Sequence, residues 1–165
     1  MCIRDRDVVD PPSPGPVVLI DAAHNNFHTA EGRFWVFAEL LRRDGFRVGS
    51  LETRITAEAL EDAEILVISN ALHESNLGKW HVPTPSAFTP EEIATVRHWV
   101  TSKGGSLLFV ADHMPFPGAS ADLARAFNIQ FSNGFAWEAE ARRPIRFQRK
   151  LSTLADHPVT NGRNS

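Results

Sequence analysis

The sequence predicts an open parallel α/β sheet with helices on both faces. Short β-branched runs recur along the chain, and stretches with helical spacing alternate with them. "VVLID" and "ILVIS" are apolar almost throughout, as in strands buried on both faces. A chain of 165 residues with 42% hydrophobic side chains is long enough for one domain with its own core.

The elements follow in order. "VVLID" (17–21) is the first strand. A helix is expected over about 30–43, with Thr29 as N-cap and Phe34, Phe37, Ala38 and Leu41 at helical spacing. Arg42 and Arg43 suit the negative end of its dipole, and Gly45 is placed to stop it. "FRVGS" (46–50) is a second strand, "AEALEDA" (57–63) a short helix, and "ILVIS" (65–69) a third strand. In "TPEE" (89–92), Thr89 caps, Pro90 takes the first helical position and Glu92 completes a capping box. That helix runs to about Lys103, buries Ile93, Val96 and Val100, and ends at Gly104 and Gly105. "SLLFVAD" (106–112) is the fourth strand, followed by a helix near 120–127 and a short fifth strand, "IQFS" (129–132). Right-handed crossovers between such strands lead to a flavodoxin-like order.

The ends read differently. "MCIRDR" has neither the apolar stretch of a signal peptide nor an amphipathic pattern, and looks like a translated adapter or assembly remnant of a metagenomic gene. "DVVDPPSPGP" reads as an extended linker, so residues 1–16 are set apart from a single domain over 17–165. The only cysteine, Cys2, lies in that excluded start. "RRPIRFQRK" (142–150) is expected as a solvated strand or hairpin, and the ending without a closing element reads as truncation.

The net charge of −3 argues against a nucleic-acid partner, because such binding rests on cationic contacts to phosphate. No apolar stretch approaches the roughly 20 residues needed to span a bilayer, so no membrane insertion is expected.

In an open parallel sheet, ligands bind beyond the carboxyl ends of the strands. Strand one ends at Asp21, His24, Asn25, Asn26 and His28; strand three at Asn70, His73 and Glu74; strand four at Asp112 and His113. The expected site therefore joins His24, His113, Asp21 and Asp112 as acid–base candidates to Asn26, His28, Asn70, His73 and Trp80 as substrate contacts. Asp21 can alternatively cap a turn, and Asn25 and Asn26 suit positive-φ loop positions. His24, His28 and His113 are residue types that bind divalent metals, but His-x-x-x-His on a loop lacks the helix that fixes such spacing, so no cofactor is expected. N–H groups near Ala30 to Gly32, at the start of the expected helix, would favour an anion. Residues 70–88 are long for a connection and suggest a lid in which Lys79, Trp80 and His81 close over the site, with "MPFPG" (114–118) as another wall. No GxGxxG, Walker or GxSxG sequence is present.

"VLIDAAHNNFHT", "ILVISNALHES", "GGSLLFVADHMPFPG" and "DHPVTNG", in that order, resemble the class I glutamine amidotransferase-like superfamily, in particular its DUF4350-type and ThuA-like branches. The resemblance spans about residues 17–162 and implies a flavodoxin-like sheet, a functional edge at the strand C-termini, and export or membrane association in bacteria, with the cytoplasm as the alternative. Amidotransferases of this class use a cysteine nucleophile, and residues 17–165 contain none, so thiolate chemistry is excluded. "DHPVTNG" resembles the "HPIT" element of ThuA-like proteins, which could bring Asp156 and His157 to the same rim; the preferred reading is that His157 before Pro158 orders a turn. The expected function is hydrolysis or binding of a small polar, carbohydrate-like molecule. The alternative is a non-catalytic sensor or interaction domain of an exported assembly.

Overall fold

Ile20, Leu66, Val67 and Ile68 have essentially no exposed surface, as strands covered on both faces require. They lie in two central strands of a four-stranded parallel sheet in a computed structural model, which describes residues 15–135 and 147–161. The chain forms two compact units, Met1–Gly134 and Phe135–Ser165.

In the first unit the elements are β1 (Val17–Asp21), α1 (Trp35–Arg43), β2 (Arg47–Leu51), β3 (Ile65–Ser69), α2 (Pro90–Lys103), β4 (Ser106–Val110) and α3 (Phe116–Ala126). The strand order is β2-β1-β3-β4, every pair parallel, with Val18 opposite Val48 and Ile65, and Val67 opposite Leu108. This is an open, flavodoxin-like α/β sheet. One face packs Val18, Ile20 and Val67 against Ala38, Phe34, Phe37 and Leu41 of α1 and its approach. The other packs Leu51, Leu66 and Ile68 against Val96 and Trp99 of α2 and Leu123 of α3. At roughly 25 cal/mol per Å2 of apolar surface removed from water, these two layers supply the main driving force for the fold. Among the described residues of the second unit, a single 3-10 turn covers Arg149–Leu151 and α4 covers Pro158–Asn161. Part of the segment read as a basic strand or hairpin, 142–146, lies outside the described residues.

Helix α2 follows the sequence closely. Thr89 Oγ1 accepts from Glu92 N–H at 3.2 Å, Glu92 Oε2 accepts from Thr89 N–H at 2.9 Å, and Gly104 closes the helix at φ 80°.

Several expectations are corrected. Helix α1 begins at Trp35, because the Thr29 carbonyl accepts the N–H groups of both Gly32 and Phe34 and closes a turn there. No helix N-terminus therefore stands at residues 30–32, and the anion site expected from it is not formed. Residues 57–62 are turns, although Leu60 is buried; a segment this short does not repay the cost of helix nucleation. Helix α3 starts at Phe116, with Pro117 in its first turn, so much of the expected "MPFPG" wall is the opening of a helix. Residues 129–132 form no strand: Ile129 N–H bonds to Ala124 O at the end of α3, and Phe131 packs on Phe109 with ring centroids 5.4 Å apart. The fourth strand likewise stops at Val110, two residues earlier than expected.

Candidate functional site at the carboxyl edge of the sheet

Asn70, directly after β3, ties the neighbouring strand ends together. Its carbonyl accepts Phe27 N–H at 3.1 Å, its Oδ1 accepts Asp112 N–H at 3.1 Å, and its own N–H reaches Val110 O at 2.9 Å. The residue is fully buried at φ 50°, a left-handed conformation that asparagine tolerates better than most residues. Asn25 (φ 48°) donates from Nδ2 to Leu72 O at 3.1 Å, and Leu72 N–H returns to His24 O at 2.8 Å. The loops after β1, β3 and β4 thus meet, as the sequence predicts.

Beneath these loops lies a buried charged network. His24 Nδ1 is 2.9 Å from both carboxylate oxygens of Asp21, and its Nε2 is 3.0 Å from Glu92 Oε1. A carboxylate only accepts hydrogen bonds, so both contacts are satisfied together when both ring nitrogens carry hydrogen and the ring is an imidazolium. Burial opposes that charge, but the hydrogen bonds and charge of Asp21, then those of Glu92, outweigh it and hold the His24 pKa above its usual value. Burial likewise pushes the Glu92 carboxyl up, yet the Thr89 N–H, His24 and the Ile55 N–H together carry it below the ordinary glutamate range. Asn26 completes the network: its Nδ2 donates to Asp21 Oδ2 at 2.9 Å and its Oδ1 accepts His24 N–H at 3.0 Å. The Phe88 ring, 4.6 Å from the imidazole centroid, helps keep water away.

Above the network runs a rim of rings. His28 stacks on Phe34 at 4.6 Å and meets the edge of Phe27 at 5.1 Å. Phe27 lies 5.9 Å from Phe116, Phe116 5.8 Å from His113, and His113 4.8 Å from Trp80. Phe116 is buried, whereas Phe27 and Trp80 are 44% and 54% exposed. The Arg33 guanidinium sits over the Phe27 ring at 4.1 Å, in cation–π geometry. His28 Nδ1 is 3.1 Å from the hydroxyl of buried Ser69, and His113 Nδ1–H donates to Met114 O at 2.8 Å.

The predicted residues therefore divide. Asp21, His24 and Asn26 share the buried network, Asn70 and Asp112 share a hydrogen bond, and His28, His113 and Trp80 belong to the rim. Asp112 is exposed, and its Oδ1 accepts the backbone N–H of His113. His73 is turned to a local task, accepting Ser75 N–H at 3.2 Å to cap a 3-10 turn. His81 is exposed beside Val82 O. Glu92, Ser69 and Phe27 join the site without having been singled out for it, whereas Phe116 comes from the "MPFPG" segment expected as a wall. Only Glu92 carried a signal, and the capping box accounted for it. Among the described residues no group of three or more histidine, cysteine, aspartate or glutamate side chains could hold a metal ion. A surface depression of about 420 Å3 lined by Ala121, Arg125, Asn128, Ile129, Gln130 and Phe131 includes none of the predicted residues.

No family model and no curated protein matches this sequence. Among solved structures the chain is similar to the "mmIFT52 N-terminal domain", with a TM-score of 0.60 and 16% identity over 85% of this chain. The likeness is one of fold. This chain spans 60% of that chain's length. It has an open α/β sheet, and among the described residues no helix is long and apolar enough to cross a membrane.

Proposed function

We propose that the domain is a non-catalytic recognition module that binds a small polar, ring-bearing molecule of carbohydrate type at the carboxyl edge of its sheet. The observation that carries this reading is the state of His24. Both of its ring nitrogens are occupied by carboxylates and only 6% of the residue is exposed, so the best-oriented acid–base group has no lone pair or proton to offer a substrate. What the edge presents to solvent is different: half-exposed Trp80 and a Phe27 ring capped by the Arg33 guanidinium, with His28 and His113 beside them and the exposed Asp112 next to His113 in the chain. Ligand sites commonly combine apolar or aromatic walls with a few polar groups that fix orientation. A sugar-like ring matches that pairing, with C–H faces for the aromatic rings and hydroxyls for His28, His113 and Asp112.

Membership of the amidotransferase-like, ThuA-like proteins belongs to the same reading and rests on the sequence resemblance. The absence of a cysteine from residues 17–165 accords with recognition in place of glutamine hydrolysis, and the resemblance supports an exported location.

Titration of the domain with neutral sugars, amino sugars and sugar acids, followed by backbone amide NMR, tests the proposal. Saturable shifts at residues 27, 28, 80 and 113, weakened at least about tenfold by Trp80→Ala (roughly 1.4 kcal/mol), are expected. Ligand turnover lost in His113→Ala would overturn the non-catalytic reading, and an unresponsive panel would overturn the ligand class.

A further inference from the structure

We propose that the contact between His24 and Glu92 is a pH-operated latch holding the loop of residues 22–28 onto the first turn of α2. The two ring nitrogens of His24 face different elements: Asp21 ends β1, whereas Glu92 belongs to α2. Asp21 and Glu92 are the titratable groups that act on the ring, and the other group packed on it is the uncharged Phe88. The Asn26 amide contributes hydrogen bonds without charge.

The geometry decides which side opens. When the imidazolium gives one proton to solvent, the remaining hydrogen stays on Nδ1, which faces both oxygens of Asp21 at 2.9 Å. Nε2 then turns a lone pair toward Glu92 Oε1 at 3.0 Å, and an attraction becomes a repulsion. Glu92 does not move in response, because Thr89 N–H and Ile55 N–H hold its two oxygens. The His24 ring must yield, and the loop it anchors, which also carries Phe27 and His28, is left to its bonds with Asn70 and Leu72. Rising pH thus loosens half of the aromatic rim while the sheet stays intact. The latch needs no ligand at the rim and stands or falls separately from the carbohydrate reading.

Nitrogen NMR of the histidine rings and hydrogen exchange read by mass spectrometry, corrected for the intrinsic pH dependence of exchange, provide the test. At about pH 6 both His24 nitrogens are expected to be protonated, and as pH climbs through the raised pKa the ring is expected to become the Nδ1–H tautomer. Over the same interval, protection of residues 22–28 should fall at least about tenfold relative to β4, a change readily measured for local opening. Glu92→Gln removes the charge facing Nε2, so the pH dependence of protection should vanish, whatever the loss of an acceptor for Ile55 N–H or Thr89 N–H does to its absolute level. A neutral ring at about pH 6, or an Nε2–H tautomer at high pH, overturns the latch. So does loop protection that stays flat while His24 titrates, or an unchanged pH dependence in Glu92→Gln.

Discussion

Nε2 of His24 lies 3.0 Å from Oε1 of Glu92, a residue 68 positions further along the chain. The same oxygen accepts Ile55 N–H at 3.1 Å, and the other carboxylate oxygen accepts Thr89 N–H at 2.9 Å. One side chain thereby caps its own helix, anchors the connection after β2 and pairs with the imidazole beneath the candidate site.

Glu92→Ala should accordingly cost far more than the loss of a cap. Removing one partner of a buried charged pair typically costs about 3–5 kcal/mol, because the other charge is left without compensation. Thr89→Ala, which removes the cap while sparing the pair, should cost about 1 kcal/mol. Urea unfolding of both variants measures the difference; equal losses would show that His24 gains nothing from Glu92.

Stability should pass through a maximum with pH. The His24 pKa is raised, so its contribution is full below about pH 6.5, the unfolded value, and is lost as pH climbs through the higher folded value. The Glu92 pKa is lowered, so its contribution is full above about pH 4.5 and is lost as pH falls through the lower folded value. Denaturant midpoints across the pH range should decline on both sides, and His24→Gln should remove the alkaline decline attributed to this residue. An alkaline limb of equal size in that variant would assign it to another group.

Gly105→Ala should destabilise the domain through packing. A Cβ at this position would run into the indole ring of Trp99, which is part of the core beneath α2. Overpacking of this kind costs about 1–3 kcal/mol. At Gly104 the reason is instead backbone conformation: nothing lies near its Cβ direction, but φ is 80°. There alanine should cost about 1 kcal/mol. Thermal unfolding of the two variants, with near-ultraviolet circular dichroism reporting on the indole, distinguishes the causes: only Gly105→Ala should perturb the aromatic signal.

Trp80 and Phe116 touch within the rim, with centroids 6.5 Å apart, yet should respond oppositely to truncation. Trp80 is 54% exposed, so Trp80→Ala should change stability by no more than about 0.5 kcal/mol while weakening ligand binding. Phe116 is buried with Leu72 and Ala119, so Phe116→Ala should cost about 3–5 kcal/mol. Comparable stability losses would mean that Trp80 serves the fold and not a ligand.

The sheet was legible in the sequence because its central strands are buried on both faces and left uninterrupted apolar runs at 17–20 and 65–68. Helix α2 was legible because capping is local: Thr89, Pro90, Glu92 and Gly104 all act within a turn of the helix ends. Helix α1 was read too long at its start, since Thr29 is suited equally to a cap and to the turn that its carbonyl closes. The fifth strand was read from apolar residues that instead cover the end of α3 and the face of Phe109. Neither alternative leaves a trace in the residue types.

By itself the sequence determined that Asp21, His24, Asn70 and Asp112 would meet at one edge, because a parallel sheet sends the ends of its strands in one direction. Tertiary structure alone decided their partners. It turned His24 inward between Asp21 and Glu92, directed His73 to a local cap, and left Phe27 and Trp80 at the surface. Hydrogen-bond pairing and burial depend on distances of a few ångströms between residues far apart in the chain, which local pattern and spacing do not encode.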